Sequence, residues 1–522
     1  MNLAELLQAQ ARERPAAPAI IERGGTLTFA GLEHAAGQAA ALLHADGVRA
    51  GDGVLVFQPM SGELYVILSA LFRLGAVAVF LDPGMGRRHI EGCCAMYPPK
   101  AIIASWRAQL LIWSSPALRR IPRRYVCGRF FPGAVSLRRA RRLSPLAHVT
   151  ATSDATPALV TFTSGSTGTP KAALRTHGFL AVQHRVLARH LSLQAGEIDL
   201  ATLPIFVLAN LASGVTSLIP DADLRRPGAV DAVPVLAQVR RHRATRTAAS
   251  PAFLERLVDH AERHGVSGLG GLRRVYTGGA PVFPALLRRL QEQAPDAVIE
   301  VVYGSTEAEP IAHGRWRSGE CTGATSGPGR GLLAGRPVPE IGLRILPNRW
   351  GEPIGPFLEK EFDRVSLPHG AAGEIVVSGA HVLPGYLHGR GDEETKFDVD
   401  GRRWHRTGDA GYIDDEGRLW LLGRAGARIV DGKGEIYPFP VELAALEQPG
   451  VRRAALVSHR GRRVLVVEPS GIGTLHATEL KKALAWSALD QVRGVPRIPL
   501  DKRHNAKVDY PALRSMLEKD PG

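Results

Sequence analysis

Cysteine is scarce in this chain of 522 residues, and the four cysteines form neither a disulfide framework nor a metal-binding pattern. Cys93 and Cys94 are adjacent, whereas Cys127 and Cys321 stand apart from them. Disulfide-dependent secreted domains and zinc sites both use several cysteines at regular spacing. The amino terminus also lacks the basic segment and apolar segment of a secretory signal. The sequence therefore predicts a reduced, cytoplasmic location.

An uninterrupted apolar run that could cross a bilayer is also missing. Residues 64–81 come closest, but Arg73 lies near the centre of this run and Gly75 follows it. A charge at that depth is costly in a membrane. The second half of the run is rich in β-forming residues, so the pattern favours a buried helix that leads into a parallel strand. No membrane span is expected.

Acidic residues are absent between Glu91 and Asp154, although the chain as a whole has a formal charge of +15. The densest basic part, residues 119–142, contains four pairs of adjacent arginines. Such a segment suits an acidic partner, the anionic tail of a cofactor or a nucleic acid. Aromatic residues are sparse there and no nucleic-acid motif accompanies them. A solvated basic face is the favoured interpretation, and no nucleic-acid partner is expected.

Helical and strand patterns alternate through most of the chain. Helices are predicted at 3–12, 29–43, 62–74, 176–190, 233–240, 251–263, 284–293 and 477–487. Strands are predicted at 19–21, 54–58, 77–81, 200–203, 273–277, 298–302, 341–346, 373–378, 402–405, 411–413, 418–422, 454–458 and 463–468, with a loop from 204 to 210. The predicted class is α/β: two parallel-sheet α/β subdomains and a small β-barrel-like subdomain, followed by a small α+β unit.

The stretch with the strongest chemical signal is V-T-F-T-S-G-S-T-G-T-P-K, at residues 160–171. A strand pattern ends there in a loop whose glycines allow the backbone to wrap closely around a ligand. Successive N–H groups, four hydroxyls and the charge of Lys171 suit phosphate oxygens. A flexible linker is the weaker interpretation because linkers rarely follow a buried strand directly. A P-loop is excluded because Pro170 precedes the lysine and Ala172 follows it.

The sequence T-S-G-S-T-G-T-P-K resembles the phosphate loop of the adenylate-forming superfamily, which includes acyl-CoA synthetases, peptide-synthetase adenylation domains and luciferases. Other segments resemble further motifs of that family, at 75–83, 373–386, 406–409 and 503–513. The resemblance implies an AMP-binding domain over 1–424 and a mobile C-terminal domain over 425–522. The pivot between them is Gly426, where members usually carry Asp or Lys.

The resemblance also assigns an active site. Lys507 is the expected catalytic lysine, Thr306 a donor to a phosphate oxygen, and Glu307 the Mg²⁺ ligand. The residues assigned to nucleotide binding are Thr163, Ser164, Gly165, Ser166, Thr167, Gly168, Lys171, Gly279, Ala280, Pro281, Tyr303, Gly304, Asp409 and Arg424. Among these, Tyr303 offers a flat face to adenine and Asp409 accepts the ribose hydroxyls. The neighbours of these motifs assigned to the acyl pocket are Phe206, Val207, Ser250 and Phe253.

The implied reaction joins a fatty or other hydrophobic carboxylic acid to the α-phosphate of ATP and releases pyrophosphate. Transfer to CoA, as in an acyl-CoA synthetase, ranks first, and an acyl carrier protein is another acceptor. Many CoA-forming members have histidine where this chain has Val207. The segments at 303–310, 353–367 and 503–507 instead resemble the β-lactone synthetases of bacterial olefin biosynthesis, in which the hydroxyl of a β-hydroxy acid displaces AMP. A non-catalytic nucleotide-binding protein is the remaining alternative.

Overall fold

The computed structural model describes residues 1–164, 170–266, 268–317, 330–470, 476–501 and 507–519. The helices, numbered in chain order, are α1 Leu3–Glu13, α2 Phe29–Ala45, α3 Gly62–Leu74, α4 Arg87–Met96, α5 Leu110–Ser114, α6 Pro116–Arg119, α7 His177–His190, α8 Pro204–Ser213, α9 Ala232–His242, α10 Pro251–His264, α11 Pro284–Gln293, α12 Glu359–Val365, α13 Asp392–Thr395, α14 Pro438–Leu446, α15 Ala477–Ala483 and α16 Tyr510–Lys519. The strands are β1 Pro18–Glu22, β2 Gly25–Thr28, β3 Gly53–Phe57, β4 Val77–Phe80, β5 Ala101–Ser105, β6 Arg123–Cys127, β7 Val135–Ser136, β8 Pro157–Ser164, β9 Pro170–Thr176, β10 Ile198–Ala201, β11 Thr216–Leu218, β12 Arg246–Ala249, β13 Arg274–Gly278, β14 Val298–Ser305, β15 Ala308–Arg315, β16 Leu332–Pro337, β17 Gly342–Leu346, β18 Gly373–Ser378, β19 Lys396–Val399, β20 Arg402–Ile413, β21 Leu419–Arg424, β22 Ile429–Asp431, β23 Gly434–Ile436, β24 Val451–His459, β25 Arg462–Pro469 and β26 Gln491–Gly494.

The chain divides into two compact units. Unit 1 comprises Met1–Asp221, His242–Ala248 and Ala380–Glu393. Unit 2 comprises Ala222–Arg241, Ala249–Gly379 and Glu394–Gly522. The domain boundary predicted between residues 424 and 425 falls inside unit 2 and stays a prediction.

Unit 1 is built on parallel strands. Seven strands form one sheet in the order β7-β6-β5-β3-β4-β8-β9, in which the β8–β9 pair is antiparallel and the other pairs are parallel. Strands β12, β10, β11 and β1 form a second parallel set, to which β2 adds an antiparallel edge. Apolar helix faces cover these strands, as parallel sheets require. The parallel sheets predicted from the alternating pattern are present.

The apolar run at 64–81 is the buried helix α3 followed by β4, as predicted. The Ser61 side chain caps the first turn of α3 by accepting from the Leu64 amide, and Gly75 ends the helix in the left-handed conformation at φ 65°. The Arg73 guanidinium pairs with the Glu33 carboxylate and donates to the Leu146 carbonyl at 2.6 Å, so this charge is buried with its partners. Among the described residues, no helix combines the length and the hydropathy that a bilayer span needs.

Unit 2 carries two parallel strand pairs, β13–β14 and β25–β26, and a long antiparallel region. Strands β13 and β14 are parallel, and the order then continues through β15, β16, β21, β20 and β18 to β17 with antiparallel neighbours. Near the carboxyl end, β24, β25 and β26 form a separate three-stranded sheet. Two apolar clusters pack this sheet against α14, α15 and α16. This part is the small α+β unit that the sequence predicted.

Three local predictions are wrong. The loop predicted at 204–210 is helix α8, because Pro204 occupies the first turn, where a proline is tolerated, and Gly214 ends the helix in the left-handed conformation. The strand predicted to end at residue 302 continues to Ser305, because β14 pairs along its length with β15. The two strands predicted at 402–405 and 411–413 are the single strand β20, which pairs with both β18 and β21.

Candidate active site

Three strands of unit 2 bring three predicted nucleotide-binding residues together. Asp409 on β20 stands opposite Arg424 on β21, and the Arg424 guanidinium donates to Asp409 Oδ1 at 2.8 Å. The Tyr303 hydroxyl, on β14, donates to Asp409 Oδ2 at 2.8 Å. Both oxygens of this carboxylate therefore have a protein partner, and the aspartate is held in one orientation.

The electrostatics of this group follow from burial and from the aspartate. Burial, with the nearby Asp409 charge, raises the pKa of Tyr303 well above its ordinary value, so the phenol remains a hydrogen-bond donor. The Asp409 charge raises the pKa of Arg424 as well, which therefore stays a cation. A carboxylate offers about four lone-pair positions and only two are used here. Asp409 can consequently accept further hydroxyl hydrogens from a ligand.

The backbone of the G-G-A-P turn, residues 278–281, is open enough for a ligand to approach it closely. Gly279 adopts φ 76°, a conformation that other residues resist, and a Cβ built on it would meet open space. Gly278 has no room for a side chain, since a Cβ there would lie 2.1 Å from the Val302 carbonyl oxygen. Within the described residues, the buried Thr277 hydroxyl has no hydrogen-bond partner. An open backbone next to an unsatisfied hydroxyl suits a polar ligand, and Ala280 and Pro281 follow directly.

Thr306 and Glu307 form the turn that joins β14 to β15. The Ser305 hydroxyl accepts from the Glu307 amide at 3.2 Å, which fixes the main chain of this turn. The Glu307 charge contributes to raising the pKa of Arg424, so this carboxylate lies near the aspartate group. No cluster of three or more metal-ligating side chains occurs in the part of the chain that the structure describes. A single carboxylate suits Mg²⁺, which usually keeps waters and substrate phosphates as its other ligands.

Three residues near this group were missed by the sequence analysis. A Cβ on Gly408, or on Gly426 at the predicted pivot, would lie 2.9 Å from the Trp350 ring, so this tryptophan leaves room only for glycine at both positions. His405 and Lys396 are buried on the adjoining strands β20 and β19. Burial and the Lys396 charge lower the pKa of His405 to about 3, so the imidazole is neutral. The only sequence signal was that His405 directly precedes R-T-G-D, and this position does not show that the histidine is buried.

The predicted phosphate loop is described only at its two ends. Thr163 and Ser164 end β8, and their backbones pair in register with Lys171 and Pro170 at the start of β9. Gly165, Ser166, Thr167 and Gly168 lie outside the described residues. The loop prediction for these four residues therefore stays a prediction.

The Lys171 side chain packs against the segment 380–393 within unit 1. Its side chain is buried, and the ammonium nitrogen lies 5.7 Å from the centre of the Tyr386 ring. A Cβ on Gly391 would lie 2.6 Å from Lys171 Cε, so the segment 380–393 fits closely over the lysine only with glycine there. A lysine held in this way is a fixed charge at the base of the loop.

Lys507 is exposed and lies in the small carboxyl-terminal part of unit 2. We name the described residues 500–501 and 507–508 the Lys507 arm. The Lys507 amide donates to Asp501 Oδ1 at 3.0 Å, and its carbonyl accepts from the Asp501 amide at 2.8 Å. A bridge between Leu500 and Val508 continues this ladder. The main chain of Lys507 is thus fixed by backbone contacts that do not depend on its ammonium group.

Two comparisons with known proteins identify the family of this chain. The family model described as AMP-binding enzyme matches residues 7–387. The olefin beta-lactone synthetase of Xanthomonas campestris is 33% identical over 97% of this chain and 96% of its own length. The chain belongs to the AMP-binding enzyme family. It is an adenylate-forming ligase, and enzymes of this family use ATP.

Other AMP-binding enzymes are similar over smaller shares or at lower identity. The indoleacetate–CoA ligase of Aromatoleum aromaticum is 31% identical over 63% of this chain and 60% of its own. The solved structure of ATP-bound MatB from Rhodopseudomonas palustris covers all of both chains at a TM-score of 0.80 and 22% identity. This last likeness shows the fold, and it confirms the predicted α/β class with a small C-terminal domain.

The residues assigned to the acyl pocket lie on two helices of this AMP-binding enzyme. Phe206 and Val207 are buried on α8 in unit 1, and Ser250 and Phe253 are buried at the start of α10 in unit 2. The side of α8 that carries Leu208 lines an apolar cavity within unit 1. The pocket assignment stays a prediction.

A buried carboxyl group next to the Lys507 arm leads to a prediction about stability. Glu442 on α14 is 2% exposed, and its Oε1 accepts from the Leu456 amide at 3.0 Å and from the Tyr510 hydroxyl at 3.1 Å. Burial raises the pKa of Glu442 to about 7 from its ordinary 4.5. The folded protein therefore binds this proton more tightly than the unfolded chain, and stability falls as the pH rises from the unfolded to the folded pKa.

We expect Glu442→Gln to be as stable as the wild type near about pH 4.5 and more stable by up to about 3 kcal/mol at about pH 8. The amide oxygen can accept the same two hydrogen bonds without a charge to bury. Chemical unfolding at both pH values measures the difference. Glu479→Gln, at an exposed carboxylate on α15, is the control and should show no such pH dependence. An equal stability of wild type and Glu442→Gln at the higher pH would contradict the prediction.

Proposed function

We propose that this enzyme activates a β-hydroxy carboxylic acid as its acyl-adenylate and then closes it to a β-lactone. The observation that carries the proposal is the end-to-end similarity to the olefin beta-lactone synthetase, 33% identical over 97% of this chain. In the first step the carboxylate oxygen bonds to the α-phosphorus of ATP and pyrophosphate leaves. In the second the β-hydroxyl oxygen bonds to the activated carbonyl carbon, the bond from that carbon to AMP breaks, and the hydroxyl proton is released.

The residues of unit 2 fit the adenosine part of ATP. The carboxylate of Asp409, fixed by Tyr303 and Arg424, keeps free lone pairs for the ribose hydroxyls. The open backbone at Gly279 leaves room for the adenine. Glu307 would hold Mg²⁺, which when bound neutralises phosphate charge. These assignments rest on the chemistry of the side chains and on their grouping around Asp409.

The reaction brings two anions together, so the enzyme must supply positive charge and correct positioning. Lys171, buried at the base of the phosphate loop, suits the β- and γ-phosphates of the leaving group. Lys507 suits the incoming carboxylate and the α-phosphate. Its ammonium group sits on an arm whose backbone is already fixed, which reduces the entropy that must be lost when it binds.

Transfer to the thiol of CoA is the second candidate. The similarity to the indoleacetate–CoA ligase favours this reaction. CoA ligation is also common among adenylate-forming enzymes, which is why the sequence alone ranks it first. Against it, the position where many CoA-forming members carry histidine is Val207, which is fully buried in the core of unit 1. A buried valine offers no hydrogen-bonding or titratable group to a thiol.

A pair of matched substrates separates the two candidates. The enzyme is incubated with ATP and Mg²⁺, with and without CoA, and with either a β-hydroxy acid or the same acid without the hydroxyl. We expect AMP release and a product one water lighter than the β-hydroxy acid, formed without CoA, and no such product from the acid that lacks the hydroxyl. Mass spectrometry measures the product. An acyl-CoA thioester formed from both acids, with no lactone, would reject the proposal.

A further inference from the structure

Two loops of unit 1 leave the same edge of the seven-stranded sheet and carry exposed aromatic residues. Strands β5 and β6 are adjacent and parallel, and their last residues, Ser105 and Cys127, are in register. The chain that follows β5 and the chain that follows β6 therefore begin side by side. Trp113, on the short helix α5 in the segment after β5, and Phe131, in the segment after β6, confirm this, since their ring centres are 5.9 Å apart.

Four large apolar side chains at this edge, three of them aromatic, are exposed to an unusual degree. Trp113 is 65% exposed, Phe130 78%, Leu110 51% and Trp106 37%. All four lie within residues 106–130, whereas the other large apolar side chains exposed in the described residues are scattered along the chain. An exposed apolar cluster of this kind marks a surface that binds a membrane or another molecule.

Arginines lie among these aromatic residues, and no acid accompanies them. The Arg107 and Arg129 guanidinium carbons lie 5.3 and 5.8 Å from the centre of the Trp106 ring. Between Glu91 and Asp154 the sequence has ten arginines, one lysine and no aspartate or glutamate. Lys100 pairs with Asp52 at 2.7 Å. Neither Arg107 nor Arg129, however, forms an ion pair with a described residue. The surface therefore combines an apolar aromatic part with two guanidinium charges that no carboxylate in the described part of the chain neutralises.

We propose that this aromatic–arginine surface, formed by Trp106, Arg107, Leu110, Trp113, Arg129 and Phe130, binds the surface of an anionic phospholipid bilayer. Tryptophan and phenylalanine rings are stable at the depth of lipid headgroups, where one side is apolar and the other is wet. Guanidinium groups bind lipid phosphates in a bidentate manner, and each basic residue near an anionic surface adds to the attraction. The proposal does not depend on the substrate of the enzyme.

A nucleic acid is the other anionic partner to consider, and the structure favours it less. Bases bind such surfaces by stacking on the faces of aromatic rings. The face of Trp106 is already occupied by guanidinium groups, and Trp113 packs at a tilt against Phe131. Insertion of exposed ring edges among headgroups does not require a free face.

Sedimentation with vesicles tests the proposal on the full-length enzyme. Vesicles of phosphatidylcholine, with and without phosphatidylglycerol, are compared for wild type, Trp113→Ser/Phe130→Ser and Arg107→Gln/Arg129→Gln. We expect binding only to the anionic vesicles. Removing the two arginines should weaken it about 25-fold, at about fivefold for each charge. Removing the two rings should weaken it about tenfold or more.

Matched variants elsewhere on the chain control for the loss of charge and of apolar surface. Arg240→Gln/Arg241→Gln removes two exposed charges on α9, and Val233→Ser/Trp486→Ser removes two exposed apolar groups. Both should bind vesicles as the wild type does, and thermal unfolding shows that every variant is folded. Three results would overturn the proposal: no binding to anionic vesicles, binding that the surface variants leave unchanged, or equal and competing binding of an oligonucleotide. A dimer that Trp113→Ser/Phe130→Ser dissociates, together with no vesicle binding, would also overturn it.

Discussion

Lys507→Ala is expected to abolish carboxylate-dependent exchange of pyrophosphate into ATP. The first half-reaction brings a carboxylate to a phosphate, and a positioned cation stabilises the charge that develops there more than it stabilises the separate substrates. Loss of one such group typically costs roughly 10²–10³ in rate. Because the Lys507 backbone is held by Asp501 and by the Leu500–Val508 bridge, the substitution should leave the arm and the fold intact.

Two further variants make this prediction specific to the ammonium group. Lys519→Ala removes an exposed lysine at the end of the neighbouring helix α16 and should keep wild-type exchange. Lys507→Arg keeps the charge but changes its geometry, so we expect an intermediate loss. Thermal unfolding of all three should match the wild type. Near-wild-type exchange by Lys507→Ala would remove this residue from the catalytic machinery.

The helices that the sequence predicted well are those with local start and stop signals. Gly62–Leu74 and Pro284–Gln293 have the predicted limits, because Ser61 and Gly75 bound the first and a proline opens the second. Thr28 and Thr176 cap their helices as expected, each accepting an amide of the first turn. Capping acts over a few residues, so a single sequence is enough to show it.

The errors occur where distant parts of the chain decide the structure. The apolar stretch of α8 has no polar face to show a helical period, and the Nδ2 group of its buried Asn210 donates to Asp199 on β10. The extension of β14 through Tyr303 depends on pairing with β15. Neither interaction is visible in the local pattern, so the residues read as loops.

The candidate site could be named from the sequence but not assembled from it. The motifs point to Tyr303 and to Asp409 separately, and the two residues are 106 positions apart in the sequence. Their hydrogen bond, and the role of Arg424 as the second partner, follow only from the order of β14, β20 and β21 in unit 2. Gly426, at the predicted pivot, is a similar case, because the Trp350 ring that a Cβ there would meet lies far from it in the sequence.

Asp409→Ala is the second substitution expected to have a large effect, and it should act on ATP binding. The change removes the proposed acceptor for the ribose hydroxyls and also leaves the Tyr303 hydroxyl and the Arg424 cation without this partner. A hydrogen bond to a charged group is worth about 1.5–3 kcal/mol, and the Asp409 carboxylate is proposed to accept the hydroxyls of the ribose. We therefore expect the KM for ATP in the exchange assay to rise by roughly 10²-fold or more. Tyr303→Phe removes only one neutral donor and should cost about fivefold.

The coupling between these two residues gives the stricter test. Since Tyr303 acts on the nucleotide partly by fixing Asp409, the double variant Tyr303→Phe/Asp409→Ala should be little worse than Asp409→Ala alone. Asp398→Ala is the matched control, because Asp398 pairs with Arg403 between β19 and β20 at 2.6 Å in the same sheet. It should leave the KM for ATP unchanged. Additive effects of Tyr303→Phe and Asp409→Ala would show that Tyr303 acts on the nucleotide independently of Asp409. If Asp398→Ala weakened ATP binding equally, the aspartate would serve the sheet and not the ribose.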